Sequence, residues 1–123
     1  MGGIDGLEVT VAVPVSDLER AQAWYEALLG RDAPDLVPVE GVVEYRVAGA
    51  WLQLRRGQVG ESGWNLRLGV PDVRRERARL AALGFAPGEL RDVPGVVRTF
   101  DLRDPDRNRV SLYTVLAPDR SDA

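Results

Sequence analysis

Polar, aromatic and basic side chains alternate with apolar ones in several stretches of this 123-residue sequence. Such side chains occupy every second position at Trp51, Gln53 and Arg55, at Asn65 and Arg67, and at Arg109, Ser111 and Tyr113. Because alternate residues of a strand point to the same side, each set shares one face of a strand. Amides and hydroxyls there can orient a polar ligand, aromatic rings can stack on a planar one, and arginines can pair with a carboxylate or phosphate. The mixture predicts a wall that meets a ligand, although a solvated sheet face has a similar composition.

Two absences limit the chemistry open to these residues, since the sequence contains no His and no Cys. Without His, Ser-His-Asp and Cys-His mechanisms are excluded, and so is the commonest metal ligand. Without Cys, disulfides and thiolate metal sites are excluded. Glu44, Tyr45, Asp101 and Tyr113 remain as acids or bases if burial shifts a pKa, and nothing in the sequence selects one of them.

Composition favours a single globular domain spanning residues 1–123. Hydrophobic residues make up 45% and the net charge is −3, with no basic block that would favour a nucleic-acid partner. No apolar run is long enough to span a bilayer, and Met1–Asp5 lacks the basic and apolar regions of a signal peptide. We therefore expect a cytoplasmic protein with no nucleic-acid or membrane partner.

The elements that position these residues form an internal repeat. Asp17 and Asp72 lie 55 residues apart. Ser16 or Asp17 can cap the first helix and Asp72 the second, and the apolar residues of both helices recur at helical spacing. Those residues are Leu18, Ala21, Trp24, Tyr25 and Leu28 in the first copy, and Val73, Leu80 and Leu83 in the second. Trp24 and Tyr25 are expected in the core, and Gly30 is a candidate C-cap of the first helix.

Alternating segments surround both helices and predict strands. The predicted strands cover residues 7–14, 36–39, 42–47, 51–55, 64–69, 90–93, 97–102 and 109–115. Each half is then βαβββ, with module one at 7–57, a linker at 58–63 and module two at 64–116. Trp64 is expected to pack under a helix, and the polar tail from Ala117 is expected to fray. The fold class is α+β.

Three stretches of the chain resemble the vicinal oxygen chelate superfamily, which includes glyoxalases, bleomycin resistance proteins and dioxygenases. They are Val13–Leu18 with Ala23–Gly30, Leu68–Gly84, and the turn Asp104-Pro105-Asp106-Arg107-Asn108 before a strand. Arg107 stands where the superfamily usually has Gly. The resemblance implies two βαβββ modules whose sheets curve around a cavity, often in a homodimer.

In the superfamily's enzymes the resemblance also implies a metal site. Its ligands come from the first and fourth strands of each module and are usually His, Glu or Gln. The matching positions here are Thr10, Gln53, Asn65 and Ser111. All four offer only neutral oxygens, whereas a transition metal prefers imidazole, thiolate or carboxylate ligands. We therefore predict no metal and no cofactor.

Three functions fit these residues. The first, which we favour, is a metal-free protein that binds a planar or anionic small molecule in the sheet cavity, for example to sequester an antibiotic or metabolite. Its predicted ligand-binding residues are Thr10, Trp51, Gln53, Arg55, Asn65, Arg67, Arg109, Ser111 and Tyr113. The second is a metal-independent lyase or isomerase-type enzyme. The third is a structural or regulatory module whose cavity is filled by Trp51, Tyr113 and the arginines. As an alternative to ligand binding, the polar side chains bond to each other and to water, and Glu44 or Asp101 neutralises the arginines.

Overall fold

A computed structural model describes residues 3–59 and 65–116, which form eight strands and two helices. The elements are β1 (Thr10–Val15), α1 (Leu18–Leu29), β2 (Leu36–Val39), β3 (Val42–Val47), β4 (Ala50–Arg56), β5 (Asn65–Gly69), α2 (Val73–Ala82), β6 (Arg91–Val93), β7 (Val97–Arg103) and β8 (Arg109–Val115). The chain divides into two compact units, Met1–Glu61 and Ser62–Ala123. The order confirms the predicted α+β class and the βαβββ pattern of each half.

The first unit is a four-stranded sheet in the order β1-β4-β3-β2 with α1 packed on one face. The outer strand β1 runs parallel to β4, whereas β3 is antiparallel to β4 and to β2. Asp17 begins α1 by accepting a hydrogen bond from the Arg20 backbone N–H, and Gly30 ends it in the left-handed region at φ 69°. The sequence therefore located both ends of this helix correctly.

The core of the first unit lies between α1 and the sheet. The buried residues are Val13, Val15, Leu18, Ala21, Tyr25, Leu28, Val43, Tyr45, Leu52 and Leu54. Tyr25 is fully buried, and the half-buried Trp24 contacts it edge-on with ring centroids 4.8 Å apart. The aromatic pair therefore packs in the interior and at its rim, as its helical spacing predicts.

The second unit repeats this arrangement, with the order β5-β8-β7-β6 and α2 packed on β7 and β8. Asp72 begins α2 by accepting hydrogen bonds from the backbone N–H groups of Arg74 and Arg75. Leu80 is fully buried, but Leu83 is 58% exposed. The prediction that Leu83 faces the core is wrong, since Leu83 is the C-cap residue that follows α2 and its side chain is mostly in solvent.

The strand predictions fail mainly at the start of β1. The pattern predicted a strand from Leu7, but pairing begins at Thr10 and Leu7 is 98% exposed. The reason is that β4 begins at Ala50, so it has no residue that could pair with Leu7. Trp64, residues 60–63 of the linker and the tail from 117 lie outside the described residues, and the module bounds stay predictions.

The last hairpin of each unit closes differently. The β3–β4 turn consists of Ala48 and Gly49, both with positive φ (47° and 82°). The β7–β8 turn contains a buried Asp104 that accepts from the backbone N–H groups of Asp106 and Asn108 and from the Asn108 side chain. Arg107 in this turn has φ 67°, a backbone conformation that favours Gly. This conformation agrees with the Gly that the superfamily usually has at the position of Arg107.

Within the described ranges, neither helix has the length and apolar character needed to cross a membrane.

Candidate functional site

Each sheet has a face opposite its helix, and all nine predicted site residues lie on these two surfaces. We call them the first and second helix-free faces. The first carries Thr10, Trp51, Gln53, Arg55, Glu44 and Arg46, and the second carries Asn65, Arg67, Gly69, Arg109, Ser111, Tyr113, Thr99, Asp101 and Arg91. The alternation along β4, β5 and β8 therefore selected side chains that share a face within each unit.

On the first helix-free face, a polar pair lies at the centre. Gln53 and Glu44 are directly opposite in the antiparallel β3–β4 ladder, and Gln53 Nε2 donates to Glu44 Oε2 at 2.7 Å. Thr10 lies opposite Trp51, two residues along the strand from the Gln53 row. Thr10 is exposed, while Gln53 and Glu44 are half-buried. The side-chain amide of Gln53 is thus held by a neighbouring carboxylate.

An aromatic side chain and two arginines complete this face. The Arg46 guanidinium lies 5.1 Å from the centroid of the Trp51 ring, which is a cation–π arrangement. Arg55 is exposed, and its side chain makes no hydrogen bond or ion pair with the residues described in 3–59 and 65–116. Trp51 therefore carries a guanidinium on its ring, so a planar ligand has to share or displace that contact.

The second helix-free face has a polar group at the matching place. Ser111 and Asp101 are opposite in the antiparallel β7–β8 ladder, and Ser111 Oγ donates to Asp101 Oδ1 at 2.7 Å. Ser111 Oγ also lies 3.3 Å from Asn65 Oδ1 on the neighbouring strand. Arg91 forms an ion pair with Asp101 at 3.2 Å. These four side chains form a connected polar network.

The same face also holds an arginine over an aromatic ring. The Arg67 guanidinium lies 5.0 Å from the centroid of the Tyr113 ring. Gly69 is opposite Tyr113, and a Cβ built on Gly69 would lie 3.1 Å from the Tyr113 Cζ and Oη atoms. Tyr113 is therefore packed against the bare backbone of β5.

The structure shows which groups the two carboxylates of these faces bind. The sequence left open that Glu44 or Asp101 neutralises the site arginines, whereas Glu44 binds Gln53 and Asp101 binds Ser111 and Arg91. The β3–β4 pairs follow from the two-residue turn at 48–49, which sets Glu44 opposite Gln53 and Arg46 opposite Trp51. A two-residue turn placed at Ala48-Gly49 in the sequence would therefore have predicted the Glu44–Gln53 pair.

Tyr45, one of the acid–base candidates, does not belong to either helix-free face. Its side chain points to α1, is fully buried, and donates a hydrogen bond to Glu26 Oε2 at 2.7 Å. Burial, with the Glu26 carboxylate second, raises the pKa of the Tyr45 hydroxyl above its usual range. Tyr45 is therefore a neutral core residue and not an available proton acceptor.

The metal positions implied by the superfamily do not fit a metal. The two pairs of positions are equivalent in the two sheets. Gln53 lies two residues beyond the ladder partner of Thr10, and Ser111 lies two residues beyond the ladder partner of Asn65. All four donors are neutral, and Gln53 and Ser111 already bond to carboxylates. In the described part of the chain, no three His, Cys, Asp or Glu side chains cluster in a way that could hold an ion.

Comparison with known proteins places this architecture among solved structures. No protein-family model and no curated protein sequence match the chain. A glyoxalase/bleomycin resistance protein from Catenulispora acidiphila is 23% identical, with 89% of this chain and 99% of that chain covered and a TM-score of 0.77. TnmS3, an antibiotic binding protein from a Streptomyces species, is 26% identical over 92% of this chain and 99% of its own, with a TM-score of 0.74.

A third similar structure is the fosfomycin resistance protein FosX from Listeria monocytogenes, solved with Mn(II) and sulfate. It is 20% identical, covers 98% of both chains and has a TM-score of 0.75. The chain therefore has the glyoxalase/bleomycin-resistance fold, which confirms the resemblance that its sequence motifs indicated.

Proposed function

We propose that this protein is a metal-free small-molecule-binding protein that holds a planar or anionic ligand on its helix-free faces, as in sequestration of an antibiotic or metabolite. The observation that carries the proposal is the chemistry at four matching strand positions. Thr10, Gln53, Asn65 and Ser111 are neutral hydrogen-bonding groups at the positions where the resemblance to the superfamily implies metal ligands in its enzymes. Such groups bind water or a polar ligand more readily than they bind a dehydrated divalent ion.

The side chains around these positions favour ligand binding rather than a surface whose side chains are packed only against one another. Trp51 and Tyr113 are half-buried aromatic residues, which bring large contact area at a low cost in conformational entropy. Asn65 and Gln53 are half-buried as well, so part of each amide remains within reach of a bound molecule. The antibiotic-binding function of TnmS3, the 26% identical relative in structure, agrees with this proposal.

Charge on the helix-free faces favours an anionic over a cationic ligand. The described arginines outnumber the carboxylates: Arg46 and Arg55 stand with Glu44 on the first face, and Arg67, Arg91, Arg103 and Arg109 stand with Asp101 on the second. The whole chain has a net charge of −3, so this excess is local. A local positive field attracts carboxylates, phosphates and similar groups.

The first test is elemental analysis of protein purified without a chelator. We expect less than stoichiometric Zn, Ni, Mn and Fe. One equivalent of any of these metals, lost on substitution of Gln53 or Ser111 by Ala, would overturn the metal-free proposal.

The second test is a thermal-shift screen of aromatic acids, nucleotides and antibiotics, because a ligand raises Tm by mass action. For any hit, Trp51→Ala and Arg67→Ala should reduce the shift. Arg75→Ala is the matched control, since Arg75 is an exposed arginine on α2. A shift that both site variants retain in full would show that the ligand binds elsewhere. Turnover of a hit into a product would favour the metal-independent enzyme instead.

We also propose a homodimer, which the superfamily resemblance implies. The edge strand β2 supports this proposal, because all of its residues, Leu36–Val39, are exposed although three of them are branched apolar residues. An exposed apolar edge is favoured as a contact with a second chain. Light scattering coupled to size-exclusion chromatography should give twice the chain mass, and a single-chain mass at every concentration would contradict the proposal.

A further inference from the structure

The Arg67 guanidinium keeps hydrogen-bond donors that the described residues do not use. Arg67 is exposed, and its guanidinium carbon lies 5.0 Å from the centroid of the Tyr113 ring without a hydrogen bond or ion pair to any residue in the described ranges. The attraction to the ring is a cation–π interaction, which does not require a hydrogen-bond acceptor. The forked N–H donors of this arginine therefore remain for a two-pronged contact with an oxyanion.

Gly69 sets the place of the aromatic ring in this stack. Any side chain at Gly69 would press on the Tyr113 ring, because even a Cβ would stand 3.1 Å from it. Contacts this short force one of the two groups to move. The missing side chain therefore lets the ring settle on β5, and the ring in turn supports Arg67.

An open depression of about 420 Å³ adjoins the ring. Its lining consists of Gly69, Val70, Pro71, Tyr113, Thr114 and Val115. The Thr114 hydroxyl donates to the Val70 carbonyl and accepts from the Val73 backbone N–H, so its hydrogen bonds are made within the protein. The depression thus offers mainly apolar atoms to a ligand, which suits a flat apolar group beside the charged one.

The first unit has a similar stack in a different electrostatic setting. Arg46 lies over Trp51, but its own backbone N–H donates to Asp35 Oδ2 at 2.7 Å, and Glu44 precedes it on the same face. The Arg46 N–H and then Arg31 lower the pKa of Asp35, so that this carboxylate is charged. Arg67 instead lies opposite Ser111, whose other neighbour in the sheet is Asp101, and Arg109 is next along β8. An arginine and a carboxylate lie near each stack, since Arg31 donates to the Arg46 carbonyl, but Asp101 is already bonded to Ser111 and Arg91, whereas Asp35 accepts directly from Arg46.

We propose that Arg67, Tyr113 and Gly69 form an oxyanion subsite, in which Arg67 binds the carboxylate or phosphate of a ligand whose flat apolar part lies in the adjoining depression. This inference rests on the proposed binding function and names the ligand chemistry and the place. It predicts that affinity depends on both the negative charge and the flat group. Inorganic phosphate alone, which lacks the flat group, binds more weakly than an aromatic phosphate.

The test uses 2-naphthoate, 2-naphthyl phosphate, neutral 2-naphthamide and inorganic phosphate as probes. Titration of ¹⁵N-labelled protein followed by NMR reports both affinity and place. We expect the two naphthyl anions to shift the amides of Arg67, Gly69 and Tyr113, with 2-naphthamide about tenfold weaker. The ratio between the two anions identifies which oxyanion the subsite prefers.

Variants test the role of the guanidinium. Arg67→Gln should weaken 2-naphthoate about tenfold, whereas the matched control Arg75→Gln, at an exposed arginine on α2, should leave the affinity within about twofold. Gly69→Ala should weaken it as well, because the added methyl displaces the Tyr113 ring. Tyr113→Phe should preserve it, because a Phe ring still supports the guanidinium.

Equal binding of naphthoate to wild type and Arg67→Gln would overturn the subsite, as would failure of both naphthyl anions to bind at about 10 mM. The proposed function can stand even if the subsite is rejected. A screened ligand that shifts the amides of Trp51 and Gln53, when the naphthyl anions show no dependence on Arg67, would support ligand binding and contradict the subsite. Failure of every screened ligand to shift either helix-free face would overturn both.

Discussion

An arginine lies over Trp51 in the first unit and over Tyr113 in the second, and a carboxylate accepts a hydrogen bond from Gln53 in one and from Ser111 in the other. The two units therefore share a plan on their helix-free faces. They differ in how the arginine reaches the ring, since Arg46 lies directly opposite Trp51 on β3, whereas Arg67 lies on β5 opposite Ser111, two residues from the Gly69–Tyr113 pair. The two units therefore have the same kinds of contact at different positions of their ladders.

The helical sides of the two units also differ. The repeat aligns Tyr25 with Leu80 and Leu28 with Leu83. The first pair is fully buried in both units, but Leu28 is 4% exposed while Leu83 is 58% exposed. Residues at matching positions of the repeat therefore contribute equally to the free energy of unfolding only where both are buried between the helix and the sheet. The following predictions test such differences.

Truncation of Leu28 and Leu83, the leucines at matching positions of the repeat, should give the largest change in the free energy of unfolding and the largest difference between the units. We expect Leu28→Ala to lower the free energy of unfolding by about 3 kcal/mol, because it opens a cavity in the core. Leu83→Ala should lower it by less than about 1 kcal/mol, since an exposed side chain leaves no cavity. Urea denaturation followed by circular dichroism measures both. Similar losses would mean that the second helix packs through Leu83 after all.

Removal of the Asp104 carboxylate should destabilise the second hairpin. Asp104→Ala leaves the backbone N–H groups of Asp106 and Asn108 without their acceptor, at a cost of about 2 kcal/mol in unfolding free energy. Asp104→Asn, which keeps one acceptor oxygen, should lose about half as much. The first hairpin has only Ala48-Gly49 at this place and no carboxylate to lose. Equal stability of Asp104→Ala and wild type in urea would show that the turn does not depend on this side chain.

Tyr45 should make the first unit sensitive to alkaline pH. Tyr45→Phe removes the hydrogen bond to Glu26 and should cost about 1 kcal/mol at pH 7. Since burial raises the pKa of Tyr45 in the fold, above pH ~10 the unfolded chain loses this proton before the folded chain does. The wild-type advantage should therefore shrink as the pH rises from about 9 to 11. Leu102 takes the equivalent place in the second unit and has no titratable group, and a constant difference between wild type and variant would contradict the prediction.

Glycine at the positive-φ turn positions should stabilise both hairpins slightly. Arg107 and Ala48 have φ values of 67° and 47°. A left-handed conformation costs a residue with a side chain about 1 kcal/mol, part of which is offset by the greater freedom of glycine in the unfolded chain. Arg107→Gly and Ala48→Gly should each raise the unfolding free energy by about 0.5 kcal/mol. A loss of stability in Arg107→Gly would show that the arginine side chain contributes more than its backbone strain costs.

Much of the site was accessible from the sequence, for a local reason. Alternation along a strand assigned Trp51, Gln53 and Arg55 to one face without knowledge of the neighbouring strands. The Glu44–Gln53 pair was within reach as well, because a two-residue turn determines its register. The Arg67–Tyr113 contact was not, because it depends on parallel pairing of β5 and β8, which are separated in the chain by α2, β6 and β7.

By itself, the sequence determined the βαβββ repeat, both helix starts at Asp17 and Asp72, and the neutral character of the four superfamily metal positions. These follow from residue type and from spacing along one segment. Only the tertiary structure decided that Glu44 and Asp101 hold the polar groups while Arg46 and Arg67 cover the aromatic rings. The physical reason is that a side chain's partner is set by strand register and by the direction of its neighbours, and both arise from contacts between segments distant in the chain.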